Sequence, residues 1–449
     1  MFKVVGLFAF ALAVVNGIDN GIGRTPPRGW RSFNQFTDYI NQSLIERQYA
    51  KLVERSRTVD GMKMSLLDLG YVTAGIDDSW QACGSGPGGV GFHNKSGFPI
   101  VNETRFPDMR AMTTKAKELG LKPGWYGNNC ECREERPSCQ MSPNGSGAEC
   151  FAGDVAATLY YGFESIKLDG CGVQRNITEY ARLFNQTGVP VMLENCHNHH
   201  PYNATRDPVT KMVDCPMNFF RTSTDIRPTF GSILINLQTT SKFNGEGLTG
   251  PGCFGYPDML EVGVTNSQKT AVGCTNTLGQ PNCTLNFVEA RTHFSAWCIV
   301  SSPLVLGFDL TDNQVMDEVW EIISNREALL VNEAWNGDAG VLVSKSKSLV
   351  HMTNCSWFND LGCDHPEWMV WAKGVAPGKV ACLLMNNGDR TKDVLVNFKS
   401  DLGLQECATS GCSVRDIHNH RDLGRFKGGF TAKNLMPHDS AFIIVTTTN

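Results

Sequence analysis

The chain has 449 residues, of which 41% are hydrophobic and 19% charged, and its formal net charge is −5. That length can bury a large core and implies more than one domain. No run of Lys or Arg forms the basic stripe that a nucleic-acid partner would need, and no stretch is long and apolar enough to span a bilayer.

Met1-Phe2-Lys3, an apolar run from Val4 to Val15, and then Asn16-Gly17 read as a secretory leader cleaved near Gly17. Secretion agrees with 17 cysteines, many in polar settings, and with sequons at Asn41, Asn94, Asn102, Asn144, Asn176, Asn185, Asn203, Asn282 and Asn354. The odd cysteine count leaves at least one thiol unpaired within the chain, and Cys298, inside an apolar run, is the candidate.

Arg28 to Asn34 reads as a first strand and its loop, Ser43 to Arg57 as a helix, and Tyr71 to Ile76 as a strand delivering Asp77-Asp78. Phe106-Pro107-Asp108 opens a helix that stops at Leu119-Gly120. Lys122 to Tyr126 is the next strand, followed by a cysteine-rich loop from Cys130 to Cys150 and a helix from Gly153 to Tyr161. Ser165 to Asp169 is a strand, Ile177 to Phe184 a helix, and Val189 to Leu193 a strand ending at Glu194-Asn195-Cys196. Phe219 to Arg221 leads to Asp225, and Pro257-Asp258-Met259-Leu260 follows a glycine-rich loop. Glu289 to Ser302 and Asn313 to Val331 read as helices around a last strand, Leu304 to Leu310. Polar residues mark almost every strand end. This favours a (β/α)8 TIM barrel, class α/β, over a doubly wound open sheet with one switch point. From about residue 336 short apolar runs alternate with turns, the texture of an antiparallel β-sandwich domain. The expected division is a leader at 1–17, a barrel at 18–333 and the second domain at 334–449.

Three strand ends carry carboxylates. Glycosidic cleavage needs two carboxyl groups flanking the anomeric carbon, one to protonate the leaving oxygen and one to attack carbon or activate water. Asp169 and Asp225 are the candidates. Lys167 lies two residues before Asp169, so both point to one strand face, where a cation favours the ionised nucleophile. Arg221, four before Asp225, could hold a sugar hydroxyl or tune that carboxyl. Asp77-Asp78 offers two acceptors for neighbouring hydroxyls without needing an ion. Cys196-His197-Asn198-His199-His200 has the composition of a metal-binding loop, but in an oxidised chain Cys196 is expected instead to form a disulfide, with Cys215 nearby in sequence. Trp30, Phe33, Trp80 and Tyr126 fit either core packing or sugar stacking.

In order along the chain, these motifs resemble glycoside hydrolase family 27, the α-galactosidase and α-N-acetylgalactosaminidase family. Arg28-Gly29-Trp30-Arg31-Ser32-Phe33-Asn34 is similar to its opening Gly-Trp-Asn-Ser-Trp-Asn, and Asp77-Asp78-Ser79-Trp80 to its Asp-Asp-x-Trp. Lys167-Leu168-Asp169-Gly170-Cys171 resembles the nucleophile strand, Arg221 to Ile226 the acid/base segment, and Pro257 to Leu260 its Pro-Asp-Met-Leu. Cys412 to Ile417 and Met436 to Ile444 resemble late strands of its second domain.

The resemblance implies a retaining mechanism on a terminal α-linked galactosyl group, without a cofactor or metal. Asp169 would be the nucleophile and Asp225 the acid/base. Asp77 and Asp78 would bind the C4 and C6 hydroxyls, Lys167, Arg221, Tyr126 and Phe33 would contact sugar, and Met259 would line the pocket. Cys171 would be disulfide-bonded to a cysteine of the 130–150 loop. His197 stands where the family reads the C2 substituent, which leaves N-acetylgalactosamine or a β-L-arabinopyranosyl end group as alternatives. A barrel that binds glycans without cutting them is the remaining one. The expected partner is the carbohydrate, the assembly at most a homodimer, and the destination secreted or lysosomal/vacuolar.

Overall fold

The computed structural model describes residues 15–18, 20–130, 132, 148–172, 174–196, 213–265, 284–352 and 362–447. Eight strands run parallel: β1 (Arg28–Arg31), β2 (Thr73–Gly75), β3 (Lys122–Tyr126), β4 (Ser165–Asp169), β5 (Met192–Cys196), β6 (Phe219–Arg221), β7 (Phe254–Tyr256) and β8 (Leu304–Leu306). Their order is β7-β6-β5-β4-β3-β2-β1-β8. The ring closes beyond β7, where Leu260 bridges Leu306 and its N–H donates to Val305 O at 2.8 Å. This is the expected (β/α)8 barrel.

Helices follow the strands: α1 (Gln42–Leu52), α2 (Met109–Glu118), α3 (Ala148–Tyr161), α4 (Ile177–Thr187), α5 (Phe230–Gly245), α6 (Phe287–Ile299), α7 (Asn313–Ile323) and α8 (Arg326–Glu333). Their starts follow capping chemistry, with Asn41, Asp108, Asn176, Thr229, Asn286, Asp312 and Asn325 each accepting a first-turn N–H. The single helix read from Asn313 to Val331 is two. Asn325 ends the first at Ser324, caps the second through Ala328 N, and donates to Ile417 O of the following domain.

The second domain is antiparallel. Strands β9 (Val341–Lys345), β10 (Trp368–Ala376), β11 (Lys379–Asn386), β12 (Lys392–Asn397), β13 (Cys412–Asp416), β14 (Arg421–Phe426), β15 (Gly429–Leu435) and β16 (Ser440–Thr446) form a sheet ordered β9-β10-β11-β16-β13-β14 and a separate β12-β15 pair. Successive side chains serve opposite faces. Val370, Cys382, Leu384, Ile443 and Val445 pack with Val394, Val396 and Phe430 of the β12-β15 layer. Met369, Trp371, Leu383, Met385 and Phe442 join the barrel's own core. Both faces are covered, so these strands read as unbroken apolar runs. Between the two bodies lies α6, with Thr292, His293, Phe294, Trp297 and Cys298 buried, and burial pushes the Cys298 thiol up to about 12.

Four disulfides join described residues: Cys83–Cys132, Cys130–Cys171, Cys215–Cys253 and Cys407–Cys412. Cys196, Cys298 and Cys382 are free and buried. Cys298 is thus unpaired as expected, but the Cys196–Cys215 pairing is not formed. Cys215 and Cys253 precede β6 and β7, at the N-terminal ends of neighbouring strands, with Cα atoms 6.2 Å apart. Cys196 ends β5 at the opposite rim of the barrel. Closeness in sequence misled because a strand carries its two ends to different faces.

Candidate active site

Seven strands bring polar groups to the C-terminal mouth of the barrel, the face on which this architecture assembles chemistry from unrelated loops. Lys167 and Asp169 end β4, as their two-residue spacing predicted, but their partners differ from the expected ones. Lys167 Nζ crosses to Asp77 Oδ2 at 2.8 Å and lies over the rings of Tyr126 and Phe33, 5.0 and 5.6 Å from their centroids. Burial opposes the ammonium charge, yet Asp77 outweighs it and Lys167 titrates above its ordinary value.

Asp169 is anchored from three sides. Tyr126 Oη donates to Oδ2 at 2.8 Å, Gly170 N donates to Oδ1 at 2.6 Å, and its own N–H donates to Asn128 Oδ1 at 2.7 Å. Asn128 Nδ2 in turn donates to the carbonyls of Asp169 and Cys171, at 2.7 and 2.6 Å. The Cys130–Cys171 disulfide fastens the same turn, which identifies Cys130 as the loop partner of Cys171. Burial, then the Asp169 carboxylate, pushes the Tyr126 phenol well up, so it remains a donor. Cys130, Asp169 and Cys171 cluster at metal-like spacing, but both sulfurs are spent in the disulfide.

Beyond β2, Asp77 and Asp78 are buried. Asp78 accepts from Asn129 Nδ2 (2.7 Å), Cys130 N (2.9 Å) and Ser79 N (2.7 Å). Ser79 takes φ +80°, an uncommon conformation for a non-glycine residue. Trp80 and Trp125 stack at 4.5 Å and Trp30 donates to Phe308 O, so all three are core residues, while Phe33 and Tyr126 flank the pocket cation.

Past β6, Arg221 Nη2 pairs with Asp225 Oδ1 at 2.7 Å and its Nη1 approaches Asp258 Oδ2 at 3.3 Å. Arg221 is buried, whereas the Asp225 side chain is 68% exposed and reaches solvent at the mouth. The guanidinium holds the Asp225 carboxyl below its ordinary value. Burial raises that of Asp258, with Arg221 opposing. Asp258 sits at φ +84° and accepts from Ile226 N and Met259 N, at 2.9 and 2.7 Å. Met259, beside it, is buried. Asp225 and Asp258 thus flank one guanidinium, that of Arg221. His197 lies outside the described residues.

Groups that were not singled out complete the floor. Arg31, ending β1, makes a two-pronged ion pair with Glu194 of β5, to which Tyr256 Oη of β7 also donates. Asn128, Asn129 and Asp258 are the other additions. Their signal in the sequence is position, each being a polar residue at or just past the end of a strand, and Arg31 and Asp258 also fall within motifs that carry the resemblance.

Residues 25–334 match the family described as "Alpha galactosidase A", and residues 365–445 match the "Alpha galactosidase C-terminal beta sandwich domain". A probable alpha-galactosidase of Dictyostelium discoideum is 26% identical over the full length of both chains. An alpha-N-acetylgalactosaminidase of Rattus norvegicus is 27% identical over 78% of each. In fold, the chain is similar to alpha-galactosidase I from Mortierella vinacea, with TM-score 0.70 and 19% identity over 96% of this chain and 100% of that one. No helix among the described residues is long and apolar enough to cross a membrane.

Proposed function

The chain belongs to the alpha-galactosidase A family and is a glycoside hydrolase; we propose that it is a secreted, retaining exo-enzyme that removes terminal α-linked galactose. The observation that carries this reading is the pair of carboxylates that β4 and β6 bring to one mouth of the barrel, Asp169 held by Tyr126 Oη at 2.8 Å and Asp225 by Arg221 at 2.7 Å. Asp169 attacks the anomeric carbon while Asp225 gives its proton to the departing glycosidic oxygen. Asp225 then takes a proton from water, whose oxygen displaces Asp169 and releases the sugar. Asp77 and Asp78 accept from the C4 and C6 hydroxyls, Lys167 and Arg221 donate to sugar oxygens, Phe33 and Tyr126 form the ring wall, and Met259 and Cys171 line the remainder, while His197 is assigned to the C2 substituent by its place in the sequence motif alone.

The acid step needs the proton on Asp225, and Arg221 disfavours it in the free site. That supports an enzyme working at acidic pH, in keeping with a lysosomal/vacuolar or secreted destination, a leader at 1–17 and N-linked glycans. The leader includes Val15–Gly17, which pair parallel with Val213–Cys215, so that pairing is absent from the processed chain.

Asp169→Ala should abolish turnover of an aryl α-galactoside while the fold survives; near-normal activity would remove Asp169 from its role. Asp225→Ala should fail mainly on substrates with poor leaving groups, which need the proton, and equal losses on good and poor ones would argue against an acid. Comparing an aryl α-galactoside with its 2-acetamido analogue separates galactosidase from N-acetylgalactosaminidase activity, and turnover of neither would favour a binding protein.

A further inference from the structure

We propose that the buried Arg31–Glu194 pair is a positioning unit that sets the reach of the Asp77 carboxylate, and through it the recognition of the sugar hydroxyls. The inference rests on the reading of Asp77 as a sugar ligand.

β1 and β5 stand four places apart in either direction around the eight-membered ring, so a pair joining their ends spans the barrel's diameter. Arg31 Nη1 donates to Glu194 Oε1 at 2.9 Å, and Nη2 to Oε2. The side chains are 11% and 2% exposed, which places the pair beneath the pocket but within reach of it. With both Nη groups committed, the Nε edge faces Asp77 Oδ2 at 3.8 Å, beyond hydrogen-bonding distance. The same oxygen accepts from Lys167 at 2.8 Å. Asp77 Oδ1 is held by Asp78 N at 3.0 Å, and Asp77 N donates to Ser32 Oγ at 3.0 Å.

Asp77 therefore lies between two cations and belongs to only one of them. Glu194 is what keeps Arg31 away. Its carboxylate matches the planar guanidinium fork, and the Tyr256 hydroxyl supplies a further donor. Without that carboxylate, a buried guanidinium must find another anion, and Asp77 is 3.8 Å off. The fork would close on Asp77 and withdraw from the sugar the oxygen that now carries one cation. Without Arg31, Glu194 becomes an unpaired buried anion competing for Lys167. Removing both leaves the Lys167–Asp77 pair intact. The structure thus separates the effect of the pair on Asp77 from the plain cost of losing a contact.

The test uses the full-length enzyme, with kcat and KM measured on an aryl α-galactoside and its 4-deoxy and 6-deoxy analogues. Glu194→Gln should raise KM on the parent substrate by about tenfold or more, the scale set by losing a charged hydroxyl acceptor. On the analogue lacking the hydroxyl that Asp77 takes, the rise should shrink to about twofold or less. Arg31→Lys, which keeps the charge and loses the fork, should fall between Glu194→Gln and the parent. The double variant Arg31→Met/Glu194→Leu should bind better than Glu194→Gln, the signature of coupled residues, and it also serves if the single variant does not fold. A loss equal on all three substrates, or a double variant no better than the singles, overturns the proposal. Asp77→Asn is the control on the underlying reading. If it leaves the discrimination between parent and deoxy substrates intact, Asp77 is not the ligand. If it abolishes discrimination while Glu194→Gln does not, only the positioning role falls.

Discussion

Asn128 carries no charge and touches none of the proposed reacting atoms, yet its replacement should cost turnover. Its amide makes three hydrogen bonds of 2.6 to 2.7 Å, all to the backbone of Asp169 and Cys171, and the residue is buried. At about 1 kcal/mol net for each bond, Asn128→Ala should lose about 3 kcal/mol of stability. The catalytic effect follows from geometry, because the three bonds fix the turn that aims the Asp169 carboxylate. A shift of that turn by about 1 Å is worth about a hundredfold in kcat. Asn128→Asp is the sharper variant, since it keeps the shape and the acceptor for Asp169 N but turns a carboxylate oxygen toward two carbonyls. The assay is kcat on an aryl α-galactoside beside thermal unfolding. Asn332→Ala serves as control, removing a 2.8 Å bond to Ser302 O at a buried position outside the pocket. If Asn128→Asp unfolds earlier but keeps kcat within about twofold of the parent, the clamp is structural only and the reasoning fails.

The pH profile gives a second prediction. Arg221 lowers the folded pKa of Asp225, so the proton needed for the acid step is lost as pH rises through that lowered value. Activity should decline on the alkaline side from a low pH, and Arg221→Met should move this alkaline limb of kcat/KM upward even as the maximum falls; a limb that stays in place would assign it to another group. The Cys130–Cys171 bridge spans 41 residues, which corresponds to about 4 kcal/mol of stability by loop entropy, and a Cys130→Ala/Cys171→Ala chain should show that loss in denaturant titration. Glycosylation is the last prediction. Asn41, Asn94, Asn102 and Asn176 engage their Oδ1 with neighbouring N–H groups. Sugar on Nδ2 leaves those bonds in place, so glycopeptides covering these sequons should carry N-glycans when the chain is made in a secretory host. Unmodified peptides would contradict it.

Strand ends were the most legible part of the sequence. Lys122–Tyr126, Ser165–Asp169 and Phe219–Arg221 occur with the bounds their patterns suggested, because a short apolar run ending in a charged residue has few other fates in a barrel. Asp77, Asp78, Lys167, Asp169, Arg221 and Asp225 were legible for the same reason. What escaped were relations across the ring. Lys167 was expected to serve Asp169, two residues away, and instead pairs with Asp77, 90 residues away in sequence. Arg31 and Glu194 look like ordinary charges until β1 and β5 face one another. Helix α5 was missed because its burial does not follow its polarity: eleven of its residues are buried, and Ser232, Asn236, Thr240 and Asn244 are among them, so polar and apolar residues do not sort into an outer and an inner face. Strand β14 escaped for the opposite reason: it is mostly exposed and presents no apolar alternation.

The way the barrel closes bears on the pocket itself. Seven junctions around the ring are ladders of paired residues, whereas the eighth rests on Leu260 against Leu306. Asp258 and Met259 come just before that lone rung. The wall facing Arg221 is therefore also the hasp of the cylinder, held by side-chain and main-chain bonds of Asp258 more than by a strand ladder. Amide exchange should find this stretch opening first, and differences in what related barrels admit should gather here more than on the firmly laddered side that carries Asp77 and Asp169.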